Sequence, residues 1–276
     1  MLRLALRVDR ARAELVLAEL LELAPAGVEE VDISDQVVEY AIYGSPGELP
    51  ELPRLRAAAA GALVEIRTTE LKDDWAERWR EFHKPLVLGG RLTVRPPWWA
   101  PCGTAVDLVI DPGRAFGTGA HASTRLCLEL LLELEPPAGD ASVVDLGCGS
   151  GVLAIAAVAL GWGPVLALDL DPLAVQATLA NASVNGVELT ARRADLRAGG
   201  VPAARLVLGN LLAPLLLRWA ELLGAARELP ELVIASGLLR DEASEVAAAF
   251  AAAGLRERSR RSRGEWSALL LAADRR

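Results

Sequence analysis

The sequence predicts an α/β protein in two parts, a small α+β module followed by a larger domain built on a mostly parallel sheet. Three observations carry this. From residue 106 onward, apolar runs of strand length alternate with runs of helical length, as in strands joined by helices. Ser142 to Gly151 reads as a strand, a glycine-rich turn and the start of a helix. Residues 1–67 follow a different order, β-α-β-β-α-β, which matches the ferredoxin-like module.

Composition narrows the class before any motif is considered. At 276 residues and 52% apolar content the chain has ample material for a core. No apolar run reaches the roughly 18 to 20 residues a membrane span needs, and Met1 leads into an amphipathic strand rather than a signal peptide. A cytoplasmic protein with no membrane contact is expected. Cys102, Cys127 and Cys148 are odd in number and fit neither a zinc spacing nor a disulfide framework, so packing is the role expected of them. A net charge of −8 argues against a broad nucleic-acid footprint. Residues 1–70 hold thirteen acids against seven arginines, which suits either a basic protein partner or simply a solvated surface. Lys72 and Lys84 are the only lysines, a bias that either a hot habitat or a GC-rich genome would produce.

In chain order, Leu2 to Val8 alternates with period two and predicts a half-buried strand. Arg12–Leu23 carries leucines at helical spacing, Val28–Tyr43 suggests two short strands around Ser34-Asp35, Leu52–Ala60 a second helix and Leu63–Arg67 a last strand. Residues 68–101 are expected to be a connector, with Trp75, Trp79 and Phe82 on one helix face. His83 has no Cys, Asp or second His at a ligand spacing and is given no chemical role. The larger domain is expected over residues 102–276.

The turn Gly147-Cys148-Gly149-Ser150-Gly151 permits positive φ and removes side chains that would keep a ligand off the backbone. Close helix–strand packing needs small residues as well, so the turn alone does not decide. N–H groups opening the helix would be available to a polar or anionic group. The dinucleotide fingerprint needs a further glycine at 152 or 154, where Val152 and Ala154 stand, so a pyrophosphate ligand is disfavoured.

Two more strand ends matter. Asp169 closes the run Val165 to Leu168 and lies 20 residues after Gly149, where a carboxylate for ribose hydroxyls is expected, while Asp171-Pro172 reads as a helix cap. Asn210 closes Leu206 to Gly209, at the rim where open α/β sheets bind ligands, although it too could merely cap a helix. A second glycine-rich loop, Asp111 to Arg125, precedes a helix that Ser123 or Thr124 is expected to cap. That loop is expected to fold over the ligand with the capping residue facing it, and His121 is expected to be a structural hydrogen-bonder rather than a base. The last two strands suggest an antiparallel hairpin, with arginines 256, 258, 260, 261 and 263 forming a solvated face.

The pattern D-x-G-x-G-x-G at Asp145–Gly151 resembles motif I of the S-adenosylmethionine-dependent methyltransferases. Together with Ala115 to His121, Asp169, Gly209 to Leu212, Ala235 to Leu239 and Gly264 to Trp266, nearly the whole chain resembles the PrmA family, methyltransferases of large-subunit ribosomal protein eleven. The resemblance implies a Rossmann-like class I methyltransferase domain with a mostly parallel seven-stranded sheet, and a ferredoxin-like domain at 1–67 that holds the target. It implies S-adenosylmethionine contacts at Thr124, Gly147, Gly149, Asp169 and Asn210, and no metal. It further implies methylation of lysine side chains and the N-terminal α-amine of that ribosomal protein; from the net charge no direct nucleic-acid binding is expected, and a monomer is expected. Ala122-Ser123 departs from the Pro-Thr common in the family's loop, which removes no expected contact. Asn210 is expected to orient the amine through a carbonyl oxygen, with Phe116 excluding water. Two alternatives stay open at this point, an enzyme acting on another protein's lysine or a small amine, and a non-catalytic module that binds the cofactor and a partner.

Overall fold

The structure, a computed structural model, describes residues 2–24, 28–34, 36–44, 49–50, 52–59, 61–70, 83–111, 121–198, 201–224 and 228–273. Trp75, Trp79, Phe82 and Phe116 lie outside the described residues, as does most of the loop that precedes His121. The chain divides into two compact units, Met1–Phe82 and His83–Arg276. No helix among the described residues is long and apolar enough to cross a membrane.

The first unit runs β1 (Leu2–Asp9), a 3-10 turn at Arg10–Arg12, α1 (Ala13–Leu23), β2 (Glu29–Ser34), β3 (Val37–Gly44), α2 (Leu52–Ala58) and β4 (Leu63–Glu70). Its four-stranded sheet has the order β2-β3-β1-β4, and the described pairings are antiparallel. Period two places Leu4, Leu6 and Val8 opposite Ile42, Tyr40 and Val38, all buried on one face. The other face carries an ion-pair ladder in which Arg3 and Arg7 hold Glu39 at 2.6 and 2.8 Å. Burial works to raise the Glu39 carboxyl, and the two guanidiniums outweigh it and hold the group below its usual range.

The second unit opens with a small sheet, β5 (Leu86–Leu88), β6 (Leu92–Arg95) and β7 (Val106–Val109), in which β6 pairs with β7 in parallel. The stretch 83–101 falls within this second unit. Gly89 and Gly90, with φ of 53° and 65°, make the turn between β5 and β6. A bidentate Arg95–Asp107 pair, 2.7 to 3.0 Å, joins β6 to β7.

There follow α3 (Ala122–Leu131), β8 (Val143–Leu146), α4 (Val152–Ala159), β9 (Val165–Asp169), α5 (Pro172–Val184), β10 (Thr190–Arg193), β11 (Leu206–Asn210), α6 (Ala213–Leu223), β12 (Leu232–Leu239), α7 (Ala243–Ala252), β13 (Leu255–Arg263) and β14 (Trp266–Ala273). The seven strands from β8 onward form one mixed sheet of order β10-β9-β8-β11-β12-β14-β13. Its first five strands run parallel, β14 is antiparallel to β12, and β13, antiparallel to β14, again runs with the first five. Alternation divides the core between the two faces. Val143, Val165 and Leu208 join Leu126 of α3 and Ile155 of α4 on one side, and Val144, Leu168 and Val207 join Trp219 of α6 and Phe250 of α7 on the other. Helix α4 is buried from Val152 through Ala157, which explains its uniformly apolar sequence.

Gly237 shows how tightly the strand ends are fitted. Its φ is +82°, and an added Cβ would stand 2.6 Å from the carbonyl oxygen of Leu211. Because backbone cannot swing aside as a side-chain tip can, Gly237→Ala is expected to cost roughly 2 to 4 kcal/mol. Urea unfolding should show a lowered midpoint with an unchanged slope.

Candidate functional site

Parallel pairing fixes where the candidate residues meet. Leu146, near the end of β8, is in register with Leu168 of β9 and Gly209 of β11, and Asn210 is in register with Ser236 of β12. The carboxyl ends of these strands therefore share one rim, the side on which open α/β sheets bind ligands.

At the centre of that rim, Gly147, Gly149 and Gly151 have φ of 69°, 54° and 82°, values that favour glycine. Gly147 N and Cys148 N both donate to the carbonyl of Leu168, at 2.8 and 3.0 Å, lashing the turn to β9. Gly149 N donates to Asp169 Oδ2 at 3.0 Å, so a separation of 20 residues closes to a hydrogen bond. The other Asp169 oxygen accepts from Asp171 N at 2.9 Å, and about four acceptor positions on a carboxylate leave room for ligand hydroxyls. Asp171 caps α5 by accepting from Leu173 N, as its sequence context predicts.

Two expectations about the turn change. A Cβ at Gly147 would stand 2.5 Å from Leu211 Cδ2, and one at Gly151 would stand 2.8 Å from Thr178 Cγ2. Packing thus demands glycine at 151, where Thr178 Cα stands 3.0 Å away, whereas the leucine tip over Gly147 can move and its φ of 69° is what favours glycine there. At the start of α4, two N–H groups are already used. Val152 N donates to Ser150 Oγ at 3.4 Å and Ala154 N to Asp145 Oδ2 at 3.1 Å, so protein acceptors already take these first-turn donors.

Helix α3 brings the second half of the site. Its cap is His121, whose ring accepts from Ser123 N, and not Ser123 or Thr124 as the hydroxyl pattern predicts. Thr124 is thereby freed for another contact, and its fully buried Oγ1 accepts from Asn210 Nδ2 at 3.1 Å. Asn210 Oδ1 is itself buried and has no hydrogen-bond partner among the described residues. A buried amide oxygen left unpaired costs about 1 to 3 kcal/mol, which a donor arriving with a ligand would recover. Ser236 Oγ donates to the carbonyl of Ser123 at 3.0 Å and seats the start of α3 on β12. His121 packs edge-on against Trp266 with ring centres 4.6 Å apart, and burial lowers its pKa to about 4, so it is neutral at physiological pH.

Several residues of this framework were not singled out from the sequence. Asn181 donates to the carbonyl of Ser150 and accepts from Asp111 N, at 2.9 and 3.0 Å. Asn185, one turn later, both accepts from Val109 N and donates to its carbonyl, at 2.8 and 2.7 Å. Two asparagines at i, i+4 on one helix are a legible signal, because each must find partners when buried. Cys127 and Cys148 are buried as expected, whereas Cys102 is exposed and contributes nothing to the core.

Thr124→Val would keep the shape and remove the acceptor that holds the Asn210 amide. A stability loss of about 1 to 3 kcal/mol is expected in chemical denaturation, and Thr124→Ser should restore it.

Relatives share a common name. The family described as ribosomal protein L11 methyltransferase (PrmA) matches residues 9–274. The ribosomal protein L11 methyltransferase of Syntrophotalea carbinolica is 35% identical over 299 residues, covering 97% of this chain and 96% of the relative. That of Pelotomaculum thermopropionicum is 41% identical over 222 residues, covering 79% of this chain and 71% of the relative. Among solved structures, the ribosomal protein L11 methylase of Lactobacillus delbrueckii subsp. bulgaricus aligns with a TM-score of 0.61 at 26% identity, over 70% of this chain and 100% of that one. With its α/β fold and mixed sheet, the chain belongs to the ribosomal protein L11 methyltransferase (PrmA) family and is a methyltransferase.

Proposed function

We propose that the chain transfers methyl groups from S-adenosylmethionine to amino groups of ribosomal protein L11, at lysine side chains and at the N-terminal α-amine. The observation that carries this is the unpartnered oxygen of Asn210 beside the glycine turn and Asp169. The two acids Asp145 and Asp169 at the turn, and the acceptor on Asn210, suit a cationic nucleoside that brings donors and disfavour a phosphate. The names of the relatives support the protein target.

When bound, S-adenosylmethionine supplies a methyl carbon made electrophilic by its sulfonium. The chain's residues do the rest. Asp169 accepts hydrogen bonds from ribose hydroxyls, and Gly147 and Gly149 let the nucleoside lie against the turn. Asn210 Oδ1 accepts an N–H of the incoming neutral amine and turns its lone pair toward the methyl carbon. Thr124 fixes which way that amide faces. Holding reactants in such a near-attack geometry contributes on the order of 7 to 11 kcal/mol. His121, already neutral, changes no charge during transfer.

The first unit serves in this proposal as a ferredoxin-like module over residues 1–67 that holds the target, with a connector reaching from residue 68 toward the transferase domain. Its strand order β2-β3-β1-β4 and its excess of acids over arginines support a role against a lysine-bearing protein. The enzyme acts as a cytoplasmic monomer and does not itself bind nucleic acid.

Labelled S-adenosylmethionine added to an unmethylated ribosomal extract should mark L11, with intact mass rising in methyl steps; label on a different band would overturn the target. Asn210→Ala should slow single-turnover transfer on the order of 100-fold, by analogy with loss of an oriented transition-state hydrogen bond. An unchanged rate would remove the role given to Asn210. Transfer to an α-amine should level off above about pH 8, while transfer to lysine keeps rising toward about pH 10, because only the neutral amine reacts.

A further inference from the structure

Strand β13 ends the seven-stranded sheet, and its outer edge pairs with no strand among the described residues. Its nine residues include five arginines and one glutamate, in a chain whose net charge is −8. From Arg256 onward every residue of the strand but Ser259 is exposed. Register with β14 sorts the arginines by face. Arg260 lies opposite Leu269 on the side of α7, where it donates to Glu257 at 2.8 to 3.0 Å and to Ser244 Oγ at 3.1 Å. Arg261 lies opposite Ala268 on the side of α3 and bonds Glu133. Arg258 is the extra residue of a bulge between Glu257 and Ser259, and Arg263 lies opposite Trp266 at the strand's end. These last two have no ion pair among the described residues.

Two features set this edge apart from a solvated one. A cleft of about 490 Å³ lies between the strand and α3, lined by Leu126, Glu129 and Arg260 to Arg263. The acids beside it are already answered, Glu129 by Arg125 at 2.8 Å and Glu133 by Arg261, so Arg263 remains as uncompensated charge. Direction is the second feature. β13 runs with the parallel strands, so its end at Arg263 lies on the same rim as Asn210. The adjoining Trp266 packs on His121, the cap of the helix that brings Thr124 to Asn210. A chain laid along β13 is thereby led toward the site of transfer.

We propose that the β13 edge docks an extended acidic segment of the protein substrate, as an added strand whose carboxylates meet Arg258 and Arg263. The inference rests on the target of the enzyme being a protein. An unpaired edge offers alternating N–H donors and C=O acceptors, and only another extended polypeptide returns both at the same spacing. A phosphate backbone offers acceptors alone, and Glu257, Glu129 and Glu133 interrupt the arginines it would have to follow. A second copy is disfavoured too, because joining two such edges sets arginine against arginine. Charge on an edge strand prevents self-pairing of that kind, and the strand it does not repel is an acidic one.

Hydrogen exchange of the full chain, read over β13, tests the contact. Unmethylated L11 should slow exchange there, and so should a capped, alternating glutamate–threonine peptide of strand length at millimolar concentration, whereas a lysine–threonine peptide should not. Arg258→Glu combined with Arg263→Glu should abolish that protection. It should also raise KM for L11 roughly three- to tenfold at low salt with kcat little changed, a difference that shrinks in high salt. Arg258→Lys combined with Arg263→Lys should keep most of both, which separates docking from a folding defect. An unchanged KM in the glutamate variant, with no protection of β13 by L11 or the acidic peptide, would overturn the inference while leaving the target in place. Protection by a single-stranded oligonucleotide but not by the acidic peptide would overturn it in favour of nucleic acid. Should the wild type leave L11 unmethylated while the acidic peptide still protects the strand, the target falls and the docking edge stands.

Discussion

The site depends on the placement of β8 between β9 and β11, because the chain turns outward in opposite directions from that strand and leaves a crevice at its carboxyl end. Apolar side chains alone would not fix its register. Val143 and Val144 enter opposite cores, both buried, so a slip of one residue would exchange one apolar face for another. Polar bonds at the end of the strand prevent it. Asp145 reaches the first turn of α4, and Gly147 N and Cys148 N share the carbonyl of Leu168 on the neighbouring strand. These contacts hold the turn within one hydrogen bond of Asp169.

The side-chain amides of Asn181, Asn185 and Asn210 fall into two kinds. Asn181 and Asn185 use both ends of their side chains, joining α5 to Ser150 at the turn and to Val109 and Asp111 at the end of β7. Fully satisfied networks of this sort specify one arrangement and resist change. Asn210 uses only its nitrogen, to Thr124, and keeps a buried oxygen open. The same holds for Asp145, with one oxygen bonded and one not. An open acceptor inside a well-packed protein is unfavourable until something with a donor or a positive charge arrives.

Much of this was legible in the sequence because it depends on local pattern. Period two marked β1, and unbroken apolar runs ending in Asp145, Asp169 and Asn210 marked β8, β9 and β11. Strands without an apolar signature escaped. Thr190–Arg193, which forms β10, is a polar edge strand whose burial pattern gives no alternation to find. The hairpin of β5 and β6 was hidden among tryptophans and prolines, although Gly89-Gly90 is a turn signal in its own right. The cap of α3 is His121 instead of a hydroxyl, and Thr124 meets Asn210 across the rim, a contact between residues 86 positions apart that no local rule contains.

Which ligand charge the turn prefers follows from how its own donors are used. A glycine turn opening a helix is often a phosphate cradle, since its first N–H groups point outward with the helix dipole behind them. Here Ser150 and Asp145 accept from Val152 N and Ala154 N, and Gly149 N is bonded to Asp169. Val152 and Ala154 are 2% and 0% exposed, so the positions where a dinucleotide fingerprint would need glycine are filled by core. Carboxylates and an open amide oxygen are what remain at the rim, and these attract cations and donors. The motif therefore keeps the glycine path of such a turn while its own acceptors take the donors that a phosphate would use.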